Sequence, residues 1–273
     1  MLGWLNVVLP GGKGSLLLYN LYADESYSTK EGNLSVCGYL IGSKALPFFT
    51  EKWAEALGPL PYFHMSEGHH KSHPDIYRKL LRLISCDHFV AAFSATVHQR
   101  AYRDVMRYRL HGHPALYWFG GAYSFCVSAI ADLANRWLNA NNPGEKDMAY
   151  IFEAGDGRRG EADWALQMFN SDPYLVEMKR RIRYFSHVFV DGKRKEAGAL
   201  QAADILAWHV VKSDEGTRPP DDVREALLAV RCYQVYYTAD DLRSNLQENL
   251  KFNELYKSLK GAKKFKFSHS IAP

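Results

Sequence analysis

Two adjacent carboxylates, Asp24 and Glu25, stand at the exit of a strongly apolar run, Leu-Leu-Leu-Tyr-Asn-Leu-Tyr-Ala over residues 16–23. An apolar, β-prone segment that delivers acids at its end is an active-site pattern. Side chains alternate across a strand, so one acid faces a cleft while the other faces a flanking layer, and Asp24 is assigned to the cleft. Polar residues also end many strands without further role, so the pair alone leaves a solvated strand end as an equal reading. The same logic recurs at 147–153, Asp-Met-Ala-Tyr-Ile-Phe-Glu, where Glu153 closes an apolar run and Gly155, Asp156 and Gly157 make the turn behind it.

A third acid is stranger. Residues 200–211, Leu-Gln-Ala-Ala-Asp-Ile-Leu-Ala-Trp-His-Val-Val, read as a helix apolar nearly all round with Asp204 inside it. Burying an unpaired carboxylate costs several kcal/mol, so Asp204 must meet a cation, a set of donors, or other acids bridged by metal. A capped or salt-bridged core Asp is the plainer alternative. Gln201 lies one turn earlier on the same face, in a position to orient it.

Between these acids, residues 62–73 crowd His64, Glu67, His69, His70 and His73 together. Zinc needs a closed ligand geometry with supporting hydrogen bonds, and adjacent histidines in a Gly- and Ser-containing stretch more often form a polar loop. The expectation is a loop that lines a site with His64 or Glu67. Residues Gly11 to Gly14, Gly-Gly-Lys-Gly, lack the Gly-Lys-Ser/Thr ending of a phosphate loop and open a strand, so they read as a turn.

The elements that must carry these residues follow from periodicity. Residues 16–22 and 34–41 pair naturally as a hairpin; Leu46, Phe49, Trp53 and Leu57 mark a helix that Gly58 and Pro59 stop. A helix from Pro74 through Leu83, a strand over 87–97, a helical insertion over about 98–141 and a strand over 182–190 come next. After Asp204, Gly216 to Pro220 break the chain, and 221–230 and 239–259 read as helices. The expected architecture is α/β, a mixed sheet of about five strands with helices on both faces. Residues 1–215 form the main domain, and 216–273 a helical extension packed on it.

Composition sets limits. The chain has 273 residues, is 47% hydrophobic, and carries a net charge of +4, which permits a phosphate-bearing partner without requiring one. Arg100, Arg103, Arg107 and Arg109, with Tyr102 and Tyr108 interleaved, form the most basic aromatic stretch, suited to a nucleic-acid backbone or to an ordinary solvated helix face. Cys37, Cys86, Cys126 and Cys232 include no Cys-x-x-Cys, which leaves neither a zinc ribbon nor a redox motif. Residues 115–133 are apolar but interrupted by Ser124, Ser128 and Asp132, and read as a buried helix in place of a membrane span. The first ten residues lack the basic lead and cleavage site of a signal peptide, so a cytoplasmic protein is expected.

Tyr-Ala-Asp-Glu-Ser at 22–26, a strand-end acid in mid-chain, and Leu-Gln-Ala-Ala-Asp-Ile-Leu-Ala at 200–207 occur in that order. Across residues 16–212 the chain thereby resembles the prokaryotic and phage family catalogued as domain of unknown function 3800. Glu153 stands where that family usually has an Asp, and Phe63 to Glu67 stand at its Glu-x-Lys-like segment. The resemblance implies a ribonuclease-H-like fold and a metal-dependent nuclease or phosphoryl-transfer enzyme acting on DNA or RNA. Two Mg²⁺ or Mn²⁺ ions about 3.5–4 Å apart would activate water and neutralise the leaving oxygen. Hard cations take oxygen ligands, so Asp24, Glu153 and Asp204 are the implied cage. Glu25 and Asp156 are spare acids, and His64 or Glu67 would assist proton transfer or touch a phosphate. The rival is a non-catalytic interaction or nucleic-acid-binding protein that keeps the fold and uses its aromatic and basic surface.

Overall fold

The run that ends in Asp24 and Glu25 is strand β1 (Tyr19–Tyr27), and its partner is β2 (Asn33–Gly42). The computed structural model describes residues 19–28, 32–107, 121–141, 148–153, 160, 161, 163, 165, 166 and 184–247. β1 and β2 form the expected antiparallel hairpin, with Asp24 opposite Cys37 and Glu25 opposite Val36. A third strand, β3 (Phe89–His98), pairs antiparallel with β2. On the other side of β1 the direction changes: β4 (Met148–Glu153) pairs parallel with β1, and β5 (Tyr184–Val190) parallel with β4. A sixth strand, β6 (Cys232–Tyr237), pairs parallel with β3, so the mixed sheet runs β5-β4-β1-β2-β3-β6.

Helices cover both faces. Between β2 and β3 lie α1 (Leu46–Leu57), the single turn α2 (His69–Ser72) and α3 (Pro74–Ser85). Leu46, Phe49, Trp53 and Leu57 form the buried stripe of α1, a proline sits in its first turn, and Gly58 ends it at φ 58°. Next come α4 (Gln99–Arg107) and the 20-residue α5 (Ala122–Asn141). After β5, a 3₁₀ turn (Lys195–Ala197) leads into α6 (Gly198–Asp214), followed by α7 (Asp221–Leu228) and, beyond β6, a helical run over 239–247.

Strand alternation divides the interior into two layers. Leu21, Ala23 and Val36 point into a cluster with Tyr102, Phe125, Cys126 and Ile130 of α4 and α5. Cys37, Tyr39 and Ile41 point the other way, into a cluster with Trp53 of α1, Leu80 of α3 and Ala202, Ile205 and Leu206 of α6. Burial on both faces explains why β2, buried at every position except its last, reads as a continuous apolar run.

Two expectations need correction. The sheet has six strands, not about five, and the chain after residue 216 is not wholly helical. Residues 232–237 alternate between half-buried and exposed at the sheet edge, which dilutes the apolar signal that marks the inner strands. The extension shares both layers: Val223 and Ala226 of α7 join the second, and Leu242 and Leu246 the first. The basic aromatic stretch also changes character, because Tyr102 is buried in the first layer while Arg100 and Arg103 stay exposed on α4. Tyr108 and Arg109 lie outside the described residues, as does Asp156. Among the described residues no helix is long and apolar enough to cross a membrane.

Candidate functional site

Asp24 has the parity of Tyr22, whose ring packs on the α6 side of the sheet, whereas Glu25 has the parity of Leu21 and Ala23 on the α5 side. The parallel register that pairs Tyr22 with Ile151 and Ala23 with Phe152 brings Asp24 level with Glu153 at the next position. Glu153 in turn has the parity of Ile151, which packs on Leu200 of α6. Asp204 sits one turn further along that helix, which rests on β1, β2 and β4. Strand pairing and helix docking thus bring acids from three separate elements to one end of the sheet.

The acids act on one another through their charges. Asp24 is only 5% exposed and Asp204 7%. Burial pushes the Asp24 carboxyl well above the usual carboxylate range, and the charges of Asp204, Glu25 and Glu153 push it further; the Glu25 N–H, donating to Oδ1 at 2.9 Å, opposes them. Burial likewise pushes Asp204 up to about 7; the Met65 N–H, donating to Oδ2 at 2.7 Å, works against this and the charge of Glu67 adds to it.

The 62–69 segment, expected as a polar loop lining the site, is a strap with two buried anchors, Phe63 and Met65. Gln201 holds it. Its Oε1 accepts the Trp53 Nε1–H at 2.9 Å and the Phe63 N–H at 3.0 Å, and its Nε2 donates to the carbonyls of Gly192 and Arg194 at 2.9 and 2.7 Å. Gln201 therefore acts on Asp204 indirectly, by fixing the strap at Phe63, two residues before the Met65 amide that binds that carboxylate. Nothing in the sequence spacing pairs residue 63 or 65 with residues 201 and 204; only the anomaly of two polar groups in an apolar helix pointed there.

His64 and Glu67 occupy different parts of this strap. His64 Nδ1 lies 3.5 Å from Asp204 Oδ2 and accepts the Ser66 N–H at 3.3 Å. Glu67 is further out, accepting the Tyr62 hydroxyl at 2.8 Å on Oε2 and the Lys193 ammonium at 2.8 Å on Oε1. Lys193, which the sequence reading passed over, follows β5 in the turn that Gln201 pins. A β-carbon on Gly192 of the same turn would come 2.7 Å from Glu153 Oε1, so the absent side chain there is what lets Glu153 lie against the turn.

The donor chemistry fits a hard divalent cation, since Asp24, Glu153 and Asp204 all offer oxygen and two of them, Asp24 and Asp204, are buried against their mutual repulsion. The side chains do not, however, form a closed cage. Among the described residues no group of three or more His, Cys, Asp or Glu side chains is drawn together tightly enough to hold a metal ion. Asp24 is turned to the Glu25 amide and Asp204 to the Met65 amide.

No family model matches the chain, and no curated protein matches it significantly.

Proposed function

We propose that the chain is a metal-dependent nuclease acting on DNA or RNA, with a ribonuclease-H-like fold and kinship to the family it resembles in sequence. The observation that carries the reading is Asp24: a buried carboxylate, raised by the charges of Asp204, Glu25 and Glu153, at the level where β1 and β4 run side by side. A cluster of like charges on three elements opposes folding, which makes a functional reason for keeping it the natural reading, and perturbed carboxylates gather at active sites. The mixed sheet is compatible with that fold, since β1, β2 and β3 form an antiparallel meander and β4 and β5 are added parallel on the far side of β1.

In this reading Asp24, Glu153 and Asp204 would hold Mg²⁺ or Mn²⁺, while Glu25, of opposite parity on β1, adds only its charge. Bound there, the ions supply a water acidic enough to attack at neutral pH and charge to neutralise the leaving oxygen. The chain's own residues do the rest. The Met65 N–H keeps one oxygen of Asp204 oriented and leaves the other for ligation; Gln201 holds the strap that carries the amide. His64, with Nδ1 3.5 Å from Asp204 Oδ2, is placed to assist proton transfer at the rim.

The open spacing of the acids favours a second reading, a non-catalytic nucleic-acid-binding protein that retains the fold. Labelled single- and double-stranded DNA and RNA, incubated with parent and Asp24→Asn in Mn²⁺ or in EDTA, separate the two. Cleavage that needs Mn²⁺ and is lost in the variant is expected. Binding with no cleavage, or cleavage that survives the substitution, contradicts the nuclease reading.

A further inference from the structure

Lys193 and Tyr62 hold Glu67 between them, one on each carboxylate oxygen. The ammonium also stands 5.6 Å above the Tyr62 ring. Two donors converging on one anion make a small anion site, and here its occupant is a side chain of the same protein. How the three residues are mounted matters. The Lys193 backbone is fixed, because its N–H donates to Asp191 Oδ1 at 3.0 Å and the carbonyls on either side, Gly192 and Arg194, both accept from Gln201. Tyr62 is fixed through its neighbour Phe63, whose ring is buried and whose amide is bound by that same Gln201. The heads of the pair are in water: the side chains of Lys193 and Glu67 are 52% and 33% exposed. A rigid base with an exposed ion pair exchanges its anion readily, since water and salt screen the bond being given up.

The surroundings supply the reason for an exchange. A phosphodiester approaching Asp24, Glu153, Asp204 and Glu67 meets four acids. Lys193 is the ammonium whose charge reaches both Glu67 at the rim and Glu153 within. We infer that Lys193 and Tyr62 form the phosphate-binding subsite of a single nucleic-acid strand, with Glu67 as an internal stand-in that leaves when the strand's phosphate takes its two hydrogen bonds. Lys193 Nζ–H and the Tyr62 O–H donate to the phosphate oxygens as they now donate to the carboxylate. Glu67 swings outward into solvent and no covalent bond changes. This assignment rests on the nuclease reading for its substrate class, but not for its geometry.

Fluorescence anisotropy of a fluorescein-labelled oligothymidylate, in Ca²⁺ to neutralise the acids, tests the subsite. Glu67→Gln removes the competing charge and is expected to tighten binding several-fold. Lys193→Gln weakens binding and lowers the salt slope by about 0.7, one contact's worth for a single strand. In the double variant the gain from Glu67→Gln disappears, and Tyr62→Phe reduces it. Glu67→Gln that binds no tighter, Lys193→Gln with an unchanged slope, or a parent that does not bind the strand overturns the inference. Mn²⁺-dependent cleavage by the parent, followed beside it, keeps the two ideas apart. Cleavage without the Lys193–Glu67 coupling leaves the nuclease reading standing and removes the subsite; the coupling without cleavage does the reverse.

Discussion

Asp204 shows how one residue can oppose stability and still be retained. Its carboxyl is buried and pushed up to about 7, so the folded chain binds a proton there that the unfolded chain gives up at lower pH. Stability in EDTA therefore falls as pH rises from the ordinary carboxylate range through about 7, by on the order of 4 kcal/mol for this group. His209 works the other way: burial lowers it to about 4, and its neutral ring takes part in a 2.5 Å hydrogen bond with the Tyr77 hydroxyl, so its share is lost as pH falls toward 4. Asp204→Asn keeps an oxygen for the Met65 N–H and removes the charge. We expect it to melt at or above the parent's temperature at pH 8 in EDTA and to lose most of the decline between the ordinary carboxylate range and about pH 7, as followed by circular dichroism. An acid inside an apolar helix was legible in the sequence. Its partner was not, since the Met65 amide is 139 residues away and amides carry no sequence signature.

At the scale of elements, the 191–194 turn, the strap and α6 are joined through Gln201, and two glycines set how closely they pack. A β-carbon on Gly198, at the start of α6, would come 2.6 Å from the Trp53 ring, which has no room to retreat in the second layer. Gly198→Ala is expected to cost about 1–3 kcal/mol in urea unfolding. Gly192→Ala meets only the flexible end of Glu153, so stability should change by under about 1 kcal/mol while Glu153 is displaced and the melting-temperature gain from Mn²⁺ shrinks. Gln201→Leu strands two buried carbonyls and two donors, and is expected to destabilise by about 2–4 kcal/mol. The apolar stripe of α1 and the hairpin of β1 and β2 could be read from spacing. Phe63 and Met65 could not, because two apolar residues flanked by Tyr, His, Ser and Glu have no period to betray them.

Across the whole molecule, the sheet separates two surfaces. Asp24, Glu153, Asp204 and the strap lie on the α6 side, whereas α4 packs on the α5 side with Tyr102 as its buried anchor. Arg100 faces Asp104 at 3.9 Å, both well exposed, as on an ordinary solvated helix. Replacing Arg100 and Arg103 with Gln is therefore expected to leave the salt dependence of oligothymidylate binding unchanged, in contrast to Lys193→Gln. A loss of slope from the arginine pair would move the nucleic-acid surface to the other side. The central α/β character followed from the order of apolar runs. The edge strand β6 escaped because half-exposed strands pair by backbone, and backbone hydrogen bonds leave weak marks on composition.

In the proposed function, Asp24, Glu153 and Asp204 are gathered to share a divalent cation. Titration calorimetry with Mn²⁺ measures that directly in the parent, Asp24→Asn and Asp204→Asn, with melting curves in EDTA to show that each variant is folded. The account predicts saturable Mn²⁺ binding by the parent, its loss in both variants, and no loss of stability in either without metal. A parent that takes up no Mn²⁺, or an Asp204→Asn that melts far below it in EDTA, would mean that the buried acid is structural and the proposed site is wrong.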